Sequence, residues 1–150
     1  MWKKEYQSKL ISITEAASKV ESGDVVGTGL AIGSGTPDIF NAILDRWQEL
    51  KGVRILDTIG LYPFKFQDPD FMLPLDGHIN YMPAFSIATG RRMNNTKQAE
   101  FYPVQSSDLA DKIWHKSDVF IAQVTPPNAN GYVNLGLTNF YTMDTIREGK

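Results

Sequence analysis

The 150-residue sequence predicts a doubly wound α/β domain, an open sheet with helices on both faces. Three observations carry this. Two apolar stretches, residues 24–29 and 53–59, bracket an amphipathic helical pattern, which makes a βαβ unit. A third run, Val119 to Val124, is almost continuously apolar, interrupted only by Gln123, as in a parallel-sheet strand buried on both faces. Glycine, proline or asparagine follows the strands, so the loops lie at their carboxyl ends, where open α/β sheets bind ligands.

The elements follow in order. Residues 2–9 read as a short helix with Trp2 and Tyr6 on one face. Ser12-Ile13-Thr14-Glu15 is a capping-box pattern that starts a second helix, expected to run to Gly23. After the 24–29 strand comes LAIGSGTPDIF. Thr36 suits an N-cap and Pro37 the first helical turn. Ile39, Phe40, Ile43, Leu44, Trp47 and Leu50 share one helical face, with Gly52 as the C-terminal stop. Residues 61–83 are broken by Pro63, Pro69, Pro74 and Pro83, and read as a long excursion with little regular structure before a short strand at 78–82. Its aromatic residues have no basic stripe beside them, so packing is their reading rather than base stacking. A strand at 99–104 and a helix carrying Leu109, Ala110, Ile113 and Trp114, with His115 at its end, complete the middle of the chain. After the 119–124 strand, Pro126-Pro127 stops the ladder and Asn128-Ala129-Asn130-Gly131 is turn chemistry. Residues 132–135 fit a short second strand, and a helix starts at Tyr141.

Composition narrows the function classes. The net charge of −2 gives no electrostatic case for nucleic acid. No apolar run reaches membrane-spanning length. With no cysteine, thiolate catalysis and zinc–thiolate sites are excluded. The N-terminus lacks the apolar core of a signal peptide, so a cytoplasmic location is the expectation.

The glycines at 27, 29, 33 and 35 do not have dinucleotide spacing, and no Lys-Ser or Lys-Thr follows them. They either let a helix approach a strand closely or present N–H groups to an anion. Arg91-Arg92 is either solvated surface or an anion clamp. Among the carboxylates, Asp57 stands out, late in a strand and near Gly60. It either closes the strand or faces the ligand edge. Glu15 has a capping role. His78 and His115 have no sequence-near partner and read as structural. No metal-spaced cluster and no nucleophile elbow is present.

One stretch says more. VTPPNANGYVNLGLTNFYT resembles the V-S-P-P-D-x-x-G-(Y/F)-x-x-x-G-x-S-x-D-Y-T signature of the acetyl-CoA hydrolase/transferase family, of the 4-hydroxybutyrate and butyrate–acetate CoA-transferase type. The opening WKKEYQSKLISITEAASKVESGDVV and the segments FSIATGRRM and AEFYPV are similar to the family as well. Asn128 stands where an acidic residue is common, and Phe140 where aspartate is usual. The resemblance implies a CoA-transferase-like sheet of the NagB/RpiA type. It implies that residues 1–150 are the N-terminal domain of a longer enzyme, whose second domain brings the catalytic glutamate and an oxyanion loop. No catalytic residue is then expected in this chain. Gly33, Gly35, Gly60, Arg91, Pro127, Gly131 and Gly136 are the implied substrate-binding positions. The implied partners are an acyl-CoA and a short-chain carboxylate, with coenzyme A thioester as substrate and no permanently bound cofactor. The remaining half of the enzyme and a homo-oligomer are expected partners too. Two other readings stay open: a non-catalytic small-ligand or regulatory α/β module of the same fold, and a Rossmann-like nucleotide domain.

Overall fold

The computed structural model describes residues 2–109, 117–136 and 139–148. Among these residues four strands form one parallel sheet: β1 Val25–Thr28, β2 Val53–Asp57, β3 Ile79–Pro83 and β4 Val119–Ile121. Their spatial order is β3-β2-β1-β4. Val26 lies beside Ile55 and Val119, and Ile55 beside Tyr81. Alternation along each strand then sorts the side chains onto two faces. Val26, Ile55, Ile79 and Tyr81 join one apolar cluster; Val25 and Leu56 join the other, with Phe120 packed against it.

Helices cover both faces. On the first, α2 (Ile13–Ser18) contributes Ala17 and α3 (Pro37–Leu44) contributes Phe40, Ile43 and Leu44. On the second, Leu109 and Tyr141 pack against Val25 and Leu56, and Tyr141 leads into the helix Thr142–Glu148. The N-terminal helix α1 (Trp2–Lys9) buries no residue, but its Trp2 ring lies against Gly131 so closely that a Cβ there would meet it at 2.8 Å.

Both early helices, α2 and α3, stop sooner than their sequence patterns suggest, and for α2 the cause is visible. Arg46, just past the end of α3, donates from Nη1 to the carbonyls of Ala17 and Val20. A cation from the neighbouring helix thus satisfies carbonyls at the end of α2, which no longer need a further helical turn. The chain then turns at Gly23 (φ +90°), whose N–H donates to the Lys51 carbonyl. Ser12 caps α2 as its sequence implies, accepting the Glu15 N–H at 3.1 Å. Ser12→Ala should therefore lower the unfolding free energy by about 1 kcal/mol in a denaturant titration. No measurable change would place the start of α2 under other control. At α3 the Thr36 side chain makes no capping bond, and Pro37 at the first turn does the work of initiation.

Three expected strands change. Residues 99–104 follow β3 without forming a strand: one bridge joins Tyr81 and Ala99, and the N–H groups of Glu100 and Tyr102 donate to Tyr81 and Pro83. Pro83 has no N–H to return, so the ladder ends there. β4 spans only three residues and is half-buried, because the Gln123 N–H leaves the ladder for the Gly33 carbonyl at 3.0 Å. Residues 132–135 form no strand; Asn134 closes a loop onto Thr125 instead. The 61–83 excursion holds more structure than its prolines suggest. It contains 3₁₀ turns at Lys65–Gln67 and Leu73–Leu75 and a short helix, α4 (Pro69–Met72). The expected helix through Ile113, Trp114 and His115 lies outside the described residues.

Candidate functional site

The carboxyl ends of the strands carry the site. After β1 the chain makes a 3₁₀ turn at Ala31–Gly33 that folds tightly back on Gly29. After β4 it runs out through Gln123 to Thr125 and returns through Asn134 to Gly136. The two segments are tied by the Gln123 N–H to Gly33 bond, by Thr125 N–H to the Asn134 carbonyl at 2.9 Å, and by Asn134 N–H to Thr125 Oγ1 at 3.0 Å. Tyr62, from the loop after β2, reaches across and its hydroxyl lies 3.5 Å from Gln123 Oε1. Between them lies a cleft of about 420 Å³. Ile32, Tyr62, Val124 and Leu135 give it an apolar lining, and Gln123, Thr125 and Asn134 add neutral polar groups. No charged side chain lines it among the described residues.

Beneath the cleft, on the first face of the sheet, lies a buried polar cluster. Asp57, the last residue of β2, is fully buried. Thr28 of β1 donates to its Oδ1 at 3.1 Å. Tyr81 of β3 donates to Oδ2 at 3.1 Å, and Gln67 Nε2 donates to Oδ2 at 3.2 Å. The Gly60 backbone packs against the same carboxyl. Burial pushes the Asp57 carboxyl above the usual carboxylate range, against the opposing pull of the Thr28, Tyr81 and Gln67 hydrogen bonds and the Gly60 backbone. Burial, reinforced by the Asp57 charge, also pushes the Tyr81 phenol well up. On the other face, Tyr141 is held the same way: its hydroxyl lies 2.7 Å from Thr58 Oγ1 and donates to the Thr28 carbonyl at 3.2 Å. Its phenol is raised chiefly by burial.

The positions implied by sequence divide between these environments. Gly33 and Gly136 line the cleft. The Gly33 N–H is already spent on the Leu30 carbonyl, and the Gly136 N–H on Asn134 Oδ1. Gly35 (φ +86°) packs against Ile121 and Phe40, just below. Gly60 sits where a Cβ would meet Gln67 Nε2 at 2.8 Å and Asp57 Oδ2 at 3.0 Å, so its role is close approach to the buried carboxyl. Thr89 Oγ1 donates to the Gly60 carbonyl at 3.3 Å, which brings the 88–91 segment to the same edge. Arg91 opens the short helix α5 (Arg91–Asn95); it is exposed and has no hydrogen bond or ion pair among the described residues. Arg92 is committed to Asp70 at 3.1 Å and Asp68 at 3.5 Å. Pro127 and Gly131 lie farther along the loop, outside the cleft lining.

Sequence reasoning did not single out Tyr62, Gln67, Tyr81, Asn134 or Tyr141 as site residues. Gln123 did leave a signal, as the polar break in an apolar run. No group of three His, Asp or Glu able to hold a metal occurs among the described residues. No described helix is long and apolar enough to cross a membrane.

With this geometry in view, the comparisons with known proteins agree. The acetyl-CoA hydrolase/transferase N-terminal domain matches residues 1–148. A succinyl-CoA:cyclohexane-1-carboxylate CoA transferase of Geobacter metallireducens is 29% identical over 99% of this chain. A 4-hydroxybutyrate coenzyme A transferase of Clostridium kluyveri is 23% identical over the same share. The chain spans 33% and 34% of the length of these two relatives. Among solved structures, RipA from Yersinia pestis superposes with a TM-score of 0.79 at 23% identity, covering 99% of this chain and 36% of that one, a likeness of fold. The chain belongs to the acetyl-CoA hydrolase/transferase family and is similar to its N-terminal domain throughout.

Proposed function

We propose that this chain is one wall of the thioester cleft of an acyl-CoA:carboxylate CoA-transferase of the 4-hydroxybutyrate, butyrate or acetate type. The observation that carries this reading is the cleft at the carboxyl ends of the strands, apolar and amide-lined, with no carboxylate in its lining among the described residues. Of the described carboxylates, Glu15 lies in the first turn of α2 and Asp38 in the first turn of α3, and Asp57, at the end of β2, is buried under the loops. The relatives are about three times as long as this chain, which leaves room for the reacting group elsewhere in the complete polypeptide.

In that enzyme a glutamate from outside these residues attacks the thioester carbonyl and expels CoA thiolate, leaving an acyl-glutamyl anhydride. The thiolate then attacks the glutamyl carbonyl and releases the first carboxylate. The acceptor carboxylate attacks the resulting glutamyl thioester, expels the thiolate, and forms a second anhydride. Thiolate attack on the new acyl carbonyl frees the product thioester and regenerates the glutamate. This is covalent catalysis in ping-pong order. The part of this chain is to seat the acyl group and exclude water from the anhydride. Exposed apolar side chains on the same loops, Ile32, Val124, Tyr132 and Val133, support a covering partner surface.

Arg91 supplies the test. Unpaired in this structure, it is free to hold an anionic group of either substrate, whereas Arg92 is engaged by two aspartates. In the complete polypeptide, assayed for thioester exchange between acetyl-CoA and butyrate or 4-hydroxybutyrate, Arg91→Ala should lower kcat/KM by about 10-fold or more, as loss of a charged hydrogen bond does. Arg92→Ala should leave it within about two-fold, since exposed ion pairs contribute little. Arg91 lies outside the cleft lining, and equal, small effects would leave it without a part in substrate binding.

A further inference from the structure

The buried Asp57 carboxyl is left without a task by the proposed chemistry, and its surroundings give it one. We propose that Asp57 is a positioning residue, holding the 58–67 segment in the arrangement that places Tyr62 at the wall of the cleft. The inference rests on the proposed function only for its kinetic consequence.

The geometry is that of a clamp. Two of the carboxyl's partners, Thr28 and Tyr81, belong to the neighbouring strands and fix it in the sheet. Gln67 Nε2, which donates to it, and Gly60, whose backbone packs against it, belong to the two ends of the loop. Leu61, Tyr62 and Pro63 lie between those anchors. Thr28, Tyr81 and Gln67 all donate to it, so the site is built around this one acceptor. Gly60 gives independent support. A Cβ there would meet Gln67 Nε2 at 2.8 Å and Asp57 Oδ2 and the Phe64 ring at 3.0 Å, so a larger residue would push Gln67 aside and crowd the carboxyl. Beyond the clamp, the loop is held at the cleft by the long Tyr62–Gln123 contact and by Thr89 on the Gly60 carbonyl. They add to the packing of the buried Phe64 and Phe66 rings, with Tyr62 edge-on to Phe64 at 5.8 Å, and the carboxyl supplies the polar ties between the loop and the sheet.

A purely structural carboxyl and a positioning one differ in what their loss does. Gln67 separates them. Its Oε1 is buried without a hydrogen-bond partner, so Gln67→Met removes an unsatisfied oxygen together with the bond to Asp57. Stability should change little, because a lost bond and a lost orphan offset each other. The loop, however, loses its side-chain hydrogen bond to the carboxyl. Asp57→Asn keeps the shape of the side chain but turns an amide N–H toward a ring of donors.

The experiment measures hydrogen exchange and steady-state kinetics on the complete polypeptide carrying these 150 residues, comparing the unmodified protein with D57N and Q67M. In both variants exchange across residues 58–67 should quicken by roughly 10-fold, while the cores of β1 and β2 stay protected. KM for acetyl-CoA should rise by about 10-fold, with kcat within about two-fold, as expected when a binding wall is misplaced and the chemistry is not. Folded Q67M protein with unchanged exchange and unchanged KM overturns the proposal. So does exchange that quickens uniformly over the whole sheet, which is the mark of a stability role alone. If the unmodified polypeptide exchanges no thioester at all, the proposed function fails by itself, and the exchange comparison still decides the role of Asp57.

Discussion

Phe66→Ala is expected to cost about 3–5 kcal/mol of unfolding free energy, among the largest effects of any single substitution in this chain. Phe66 comes from the proline-broken excursion, yet it is fully buried on the first face of the sheet. Its ring stacks on Phe64 at 4.7 Å, meets Phe40 of α3 edge-on at 5.2 Å, and lies 5.3 Å from Tyr81 of β3. Truncation opens a cavity at the junction of three elements and removes several favourable ring contacts together. It also loosens the floor under Gln67, one residue on. A urea titration measures the cost. Leu73→Ala, at a side chain 67% exposed in the same excursion, is the control, and should stay within about 0.5 kcal/mol. A cost below about 1 kcal/mol for Phe66→Ala would mean that the 61–83 segment lies on the core without belonging to it.

That segment shows where sequence and fold part company. The strands at 24–29 and 53–59 and the helix between them were legible because their signals are local: apolar runs, a proline at the first turn, and glycines at the stops. The same local signals exaggerated the length of both early helices. Arg46 ends α2 from a different element, and no window of sequence around Ser18 contains that cation. Prolines were read as breakers of the excursion, but Pro69 and Pro74 lie in the first turns of its short helical pieces and Pro83 pairs within β3. Between them Phe64 and Phe66 are placed by long-range packing on Phe40. β4 was read as buried on both faces because its residues are apolar. In this chain it is half-buried and paired to β1 alone among the described residues.

The site divides in the same way. The loop edge was legible from the strand–loop–helix order, and the signature glycines Gly33 and Gly136 do line the cleft. Asp57 was visible as a carboxylate at a strand end. Its burial was not, because it depends on Thr28, Asp57 and Tyr81 falling on one face of three adjacent strands, a fact of register rather than of spacing. Tyr62 gave no local sign of reaching Gln123, a residue 61 positions away along the chain.

The second large effect concerns catalysis. Residues 1–150 alone are expected to show no thioester exchange. Among the described residues the cleft lining has no carboxylate, and the Asp57 carboxyl at the end of β2 is enclosed by its donors, with no open face for a substrate. Removing the attacking group from a covalent mechanism removes the route, not a fraction of the rate. The most direct test maps the covalent intermediate. The complete polypeptide is incubated with acetyl-CoA without an acceptor acid and digested, and the residue carrying CoA is located by mass spectrometry, with residues 1–150 alone treated in parallel. The account predicts CoA on a glutamate outside residues 1–150 and no adduct or turnover from the short chain. An adduct on any carboxylate within residues 1–150, or thioester exchange by those residues alone, would contradict it.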